Sequence, residues 1–165
     1  MKLIITIFIL LALTLNNNAK NDSLYNNSNQ IKHIRARDLG IPLNGITGKY
    51  NSITDIQGIE VGHVTIKKGD GNLKVGYGPI RTGVTAILPH SGNIFQQKVP
   101  AAIYIGNGFG KLAGISQVQE LGNLETPIIL TNTLSVPMGI QGTVKYTLGL
   151  EGNENVRSVN AVVGE

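Results

Sequence analysis

The residues able to do acid–base or nucleophilic chemistry are few and scattered. The three histidines, His33, His63 and His90, stand 30 and 27 residues apart, with no close pairing among them. No HxH, HxxxH or His–carboxylate spacing marks a metal site, so each reads as a surface or packed histidine and no metal is expected. The chain has no cysteine, which excludes a disulfide framework, a thiol nucleophile and a Cys-ligated metal. Two segments keep chemical interest. Gly106-Asn107-Gly108-Phe109-Gly110, followed by Lys111, is a glycine loop after a strand-like run. It matches neither GxGxxG nor a P-loop, so a tight strand exit outweighs nucleotide binding, and a loop lining another substrate cleft stays open. Thr131-Asn132-Thr133-Leu134-Ser135 places hydroxyls and an amide between an apolar run and a helix start, where sites often lie. Its plain alternative is capping of that helix by Ser135. A Ser/His/Asp triad has no GxSxG elbow to anchor it.

The elements around these segments follow from periodicity. Ile59, Val61, His63 and Thr65 alternate with Glu60, Gly62, Val64 and Ile66, the pattern of a half-buried strand, and Lys68-Gly69-Asp70-Gly71 reads as its turn. Further strands are expected over 83–88, 100–105 and 156–163, and the wholly apolar run 127–130 reads as a buried one. Ser116 with Gln119 resembles a capping box for a short helix stopped by Gly122. Ser135, Pro137, Ile140, Val144 and Leu148 predict an amphipathic helix ending near Gly149 to Gly152. Strands first, then strands mixed with helices, argue an α+β layered domain.

Leu3 to Leu15 is an apolar run broken only by Thr6 and Thr14, preceded by Lys2. It is shorter than the roughly 20 residues a membrane span needs, so residues 1–19 read as a signal peptide cleaved after Ala19. No stable membrane anchor is expected, and the protein reads as exported, periplasmic or secreted. Asn16 to Gln30 holds seven asparagines and little apolar content, so 20–33 reads as a linker, with the domain occupying 34–165. The 21 glycines in 165 residues exceed the roughly 7% usual share and, without a triplet period, indicate tight turns and close backbone approaches. Charge is mildly basic, 14 Lys+Arg against 10 Asp+Glu, with only 5% aromatics. No stripe could track phosphates and stack bases, so nucleic acid is not an expected partner. The abrupt end at Glu165, just after an apolar run, reads as a truncated piece of a longer protein. From composition and spacing alone the activity stays open.

Several segments taken together carry a resemblance. Residues 35–42 (RARDLGIP), 51–63 (NSITDIQGIEVGH) and 81–89 (RTGVTAILP) look like the opening of the L-aminopeptidase/D-esterase family. That family includes the D-alanine esterase/amidases and the β-peptidyl aminopeptidases. Gly106-Asn107-Gly108, residues 127–133 (PIILTNT) and 162–165 (VVGE) continue the match in order. The resemblance implies an αββα layered sandwich like that of the N-terminal-nucleophile hydrolases, incomplete in this chain. It implies a precursor that cuts itself before a serine, whose hydroxyl becomes the nucleophile and whose α-amino group serves as base. That serine lies beyond this sequence, so no catalytic residue is assigned here. The activity implied is release of N-terminal amino acids from small peptides, amides or esters, without a cofactor. The implied partners are the chain's own C-terminal portion and further copies, as a homo-oligomer of processed heterodimers. By resemblance, Glu165 meets the substrate's ammonium. Two departures stand out: Leu134 where the family commonly has His, and Pro137 near where it has Gly. The rival expectation is a non-catalytic secreted binding domain on the same scaffold.

Overall fold

The computed structural model describes residues 34–107 and 109–165. The signal-peptide and linker expectations, His33 and Gly108 lie outside these residues. The described chain falls into two units, one ending at Gly45 and one running from Ile46 to Glu165. In the first, a 3-10 turn spans Ala36–Leu39, and Asp38 Oδ2 accepts from the Arg35 backbone N–H at 3.0 Å. Gly40 closes it in the left-handed conformation at φ 73°. The Arg37 guanidinium donates back to the Leu43 carbonyl at 2.9 Å.

The second unit is built on a four-stranded sheet. Its strands are β1 (Glu60–Lys68), β2 (Ile80–Leu88), β5 (Ile128–Leu130) and β6 (Val162–Gly164), in the spatial order β1-β2-β5-β6. β1 pairs antiparallel with β2 from Glu60↔Leu88 to Lys68↔Ile80. β2 pairs antiparallel with β5, and β5 pairs parallel with β6. A parallel pair needs a crossover. Helix α2 (Val136–Leu148) supplies it, reached through a 3-10 turn at Thr133–Ser135. A small second sheet joins β3 (Val99–Pro100) to β4 (Asn123–Leu124), with the short helix α1 (Ile115–Leu121) just before β4.

Alternation along β6 divides the core. Val163 is fully buried under α2, in a cluster with Val136 and Ala161 backed by Ile129, Ile140 and Val144. Val162 faces the other way, onto Val118 of α1 and Leu124 of β4. Burying side chains of this size contributes about 1.5–3 kcal/mol each. Helix α2 approaches closely because Gly139 carries no side chain: a Cβ there would lie 2.8 Å from Val163 Cγ1. Near its C-terminal half, burial pushes the Tyr146 hydroxyl above its ordinary pKa, and the Glu60 carboxylate adds to the shift.

Several expectations are corrected. β1 is exposed along its whole length, on both faces, although its alternation reads as half-buried. β2 begins three residues earlier than Gly83. The β1–β2 connection runs from Gly69 to Pro79, with a small bridge of its own between Lys74 and Gly78, in place of a tight turn at 68–71. The strand expected over 100–105 shrinks to Val99–Pro100; beyond it, among the described residues, only Ala101 donates, to the Gly122 carbonyl at 2.8 Å. β5 is half-buried rather than buried, with Leu130 exposed. The strand expected over 156–163 is confined to Val162–Gly164. Upstream of it the Asn160 N–H is taken by a side chain, the carboxylate of Glu125 at 2.7 Å, and not by a neighbouring strand. Helix α1 starts after Gly114, not at Ser116, and ends at Gly122 as expected.

Candidate functional site

Because β5 and β6 run parallel, their carboxyl ends open at one edge of the sheet, with the segments that leave them. In α/β sheets this edge is where ligands are commonly held. Thr131 extends the pairing by one step, its N–H donating to the Gly164 carbonyl at 2.9 Å. Its hydroxyl donates to the Gly83 carbonyl of β2, also at 2.9 Å. The Asn132 side-chain amide donates to the Thr82 hydroxyl, while its Oδ1 accepts from the Ser135 N–H at 3.1 Å. The polar run is therefore occupied with tying β2, β5 and the start of α2 together. Ser135 precedes the helix but its side chain makes no cap bond; Asn132 caps the 3-10 turn that leads into it. Leu134 and Pro137 are exposed beside this run.

Glu165 leaves β6 at the same edge. Gly164 makes its passage feasible: the position of a Cβ there lies 3.2 Å from Leu112 Cδ1 and 3.4 Å from Leu130 Cδ2. On the side of β6 away from β5, Ala113 bridges antiparallel to Val163, donating to its carbonyl at 2.8 Å. That bridge draws the end of the glycine loop alongside Glu165. The Cβ position of Gly110 is 4.0 Å from Glu165 Oε1, an ordinary van der Waals contact. Asn107 shapes the loop, its Oδ1 accepting from the N–H groups of Phe109 at 2.9 Å and Gly110 at 3.0 Å. The Lys111 ammonium donates to the Phe109 carbonyl and lies 4.5 Å from the centre of its ring. An exposed carboxylate beside this loop can receive a cation.

Among the described histidines, His63 lies in register with Thr85, which itself pairs with Leu130 at the end of β5. His63 shares hydrogen bonds with the Thr85 hydroxyl at 2.6 Å and the Thr65 hydroxyl at 2.8 Å, on the open face of β1 and β2. His90 accepts from the Gly92 N–H and shares a bond with the Gln97 carbonyl at 2.9 Å. A buried polar framework lies outside the segments that the sequence singles out. Glu125 is buried and takes both the backbone and side-chain N–H groups of Asn160 on Oε1, with Lys98 Nζ 3.8 Å from Oε2. Asn153 is buried and accepts from the amides of Asn93 and Gln96, each at 2.9 Å, while donating to the Thr147 carbonyl at 2.7 Å. Nothing in local spacing announces these partners, which lie 35 residues apart in the first case and about 60 in the second.

Residues 51–165 match peptidase family S58. The beta-peptidyl aminopeptidase BapA of Sphingosinicella xenopeptidilytica is 44% identical over 115 residues, covering 70% of this chain and 28% of that protein. BapA of Sphingosinicella microcystinivorans is 45% identical over 102 residues, 62% of this chain and 26% of that protein. The chain thus spans under a third of the length of these relatives. Among solved structures, the PH0078 protein from Pyrococcus horikoshii OT3 superposes with a TM-score of 0.73 at 50% identity, over 79% of this chain and 38% of that one. The L-aminopeptidase D-Ala-esterase/amidase from Ochrobactrum anthropi, described as a serine aminopeptidase prototype with a variant Ntn-hydrolase fold, gives 0.66 at 34% identity, over 80% and 37%. A Burkholderia beta-aminopeptidase gives 0.67 at 36% identity, over 79% and 36%.

Proposed function

Because the chain belongs to peptidase family S58 and shares its α+β fold with aminopeptidases of the Ntn-hydrolase type, we propose that the whole protein is an exported serine aminopeptidase. It releases N-terminal amino acids from small peptides, amides or esters. In this reading a precursor cleaves itself before a serine outside the present chain. The serine hydroxyl attacks the substrate carbonyl while the freed α-amino group takes its proton. That proton passes to the departing amine or alcohol, and water then releases the amino acid from the acyl-enzyme. Glu165 receives the substrate's ammonium and so selects free N-termini. The working unit is the present chain joined by its own C-terminal portion, assembled as further copies.

The observation that carries the proposal is the placement of Glu165 at the open end of the parallel pair, against the glycine loop, within a segment that matches the family up to that residue. A carboxylate in this position favours a cation, as recognition of a free N-terminus requires. The test is made on the purified whole protein. Terminal sequencing should find a second chain beginning with serine, and aminoacyl p-nitroanilides with free amines should be turned over in preference to their N-acetyl forms. A single uncut chain without turnover would return the protein to the binding-domain reading.

A further inference from the structure

We propose that Thr131 is a positioning residue for Glu165, its hydroxyl keeping the carboxylate where it meets the substrate's ammonium. The inference deepens the proposed function and rests on Glu165 as the ammonium receptor. The Thr131 backbone N–H donates to the Gly164 carbonyl at 2.9 Å. That carbonyl belongs to the same planar peptide unit as the Glu165 N–H, so the bond fixes how the plane before Glu165 is turned. On the other side of β6, the bridge from Ala113 reaches Val163, two positions short of Glu165. Among the described residues, Thr131 thus holds β6 closest to its carboxyl end.

Thr131 is itself held by its side chain. β5 pairs with β2 as far as Leu130, opposite Thr85. One residue later that ladder has ended, and the Thr131 hydroxyl takes its place by donating to the Gly83 carbonyl at 2.9 Å. Gly83 is a firm anchor because it lies close against β1: a Cβ there would stand 2.9 Å from the Val64 carbonyl oxygen. A β-branched side chain has few χ1 choices, which keeps the hydroxyl aimed at that carbonyl. Asn132, tied to Thr82, gives its other side-chain atom to the Ser135 N–H and so secures the helix start, not β6. The path from β2 to the Gly164–Glu165 peptide therefore runs through Thr131, with one hydrogen bond at each step. Without the hydroxyl, the end of β6 gains freedom to turn and the carboxylate leaves its place. An ammonium bond made equally in the bound substrate and the transition state contributes to KM and not to kcat.

The whole protein is assayed with leucine p-nitroanilide as wild type, Thr131→Val, Thr131→Ser, Glu165→Gln and the double variant of Thr131→Val with Glu165→Gln. Thr131→Val keeps the branched shape and removes the hydroxyl, so KM should rise about fivefold with kcat within about twofold. Thr131→Ser keeps the hydroxyl, and its KM should stay within about twofold of wild type. Added to Glu165→Gln, Thr131→Val should change KM by less than about twofold, as for two residues acting through one bond. A hydroxyl with a purely structural role would lower the denaturant midpoint and leave KM alone. An unchanged KM, a fall confined to kcat, or the same KM rise without the Glu165 carboxylate would overturn the assignment and leave the Glu165 reading standing. Where Thr131→Val yields no folded protein, Thr131→Ser decides: a wild-type KM supports the assignment and a raised one overturns it. An unchanged KM in Glu165→Gln itself would overturn both readings.

Discussion

In the proposed function Glu165 meets the substrate's ammonium, and its setting decides how much it can contribute there. It is exposed here, flanked by the glycine loop and by Gly164 between two leucines. Hydrogen bonds to charged groups in such partly open sites are worth about 1.5–3 kcal/mol, against about 3–5 kcal/mol for a member of a fully buried pair. Glu165→Gln keeps the shape and removes the charge. In the whole protein it should raise KM for free-amine substrates about tenfold or more. Self-cleavage of the precursor should proceed, since no substrate ammonium takes part in it. Steady-state kinetics on the processed enzyme and terminal sequencing of the same preparation check the two halves. An unchanged KM would make Glu165 a solvated residue at a strand end. At this scale the sequence names Glu165 only through the resemblance of the VVGE segment, and this variant tests its role. Glu125 and Asn153 are not legible there, because their partners are brought to them by the fold alone.

At the scale of elements, periodicity locates β1, β2, β5 and α2, with α2 capped at Gly149 as expected, but misjudges the start of β2 and the burial of β1 and β5. The reasons are specific. Asn132, three residues ahead of Ser135, supplies the cap because its side chain can reach both the Ser135 N–H and β2. Gly114 begins α1 because the chain there must pass closely over β6. Its φ is +85°, and a Cβ would lie 2.7 Å from the Ala161 carbonyl oxygen and 2.9 Å from Val162 Cγ2. Two glycine substitutions therefore have opposite expected signs. Gly114→Ala meets a left-handed backbone cost of about 1–2 kcal/mol and an overpacking cost of about 1–3 kcal/mol. It should destabilise by roughly 2–5 kcal/mol in total. Gly142 sits within α2 with nothing near its Cβ position, and its backbone is helical. Gly142→Ala should stabilise by about 0.8–1 kcal/mol through helix propensity alone. Denaturant midpoints of the whole protein at constant slope would show both shifts. A Gly114→Ala protein as stable as wild type would mean that the close passage over β6 is not a packing constraint.

At the scale of the whole molecule, the two halves of the sheet differ in how they are covered. β5 and β6 have α2 on one face and the cluster of Val118 and Leu124 on the other. β1 and β2 carry Val61, Val64, Ile66, Ile80 and Val84 to the surface, with Val64 48% and Ile66 49% exposed. Apolar faces of this extent on a long edge strand invite association with other chains. The relatives extend well beyond the stretch matched here, so in the whole protein these faces are proposed to be covered by further chain. Residues 34–165 produced alone should accordingly be poorly soluble and should bind a dye for exposed apolar surface. They should hydrolyse aminoacyl amides and esters no faster than buffer, because in the proposed mechanism recognition of an ammonium by Glu165 lowers no barrier without the serine that forms the acyl-enzyme. Charged substitutions on one face, Val64→Lys with Ile66→Glu, should recover solubility in this piece without producing turnover. Light scattering and a p-nitroanilide assay on the same preparations separate the two effects. Steady turnover by this piece would place a complete catalytic apparatus within residues 34–165 and remove the need for a serine outside them. A monodisperse, soluble piece would instead mean that the open faces of β1 and β2 need no cover, and would leave the placement of the nucleophile untouched.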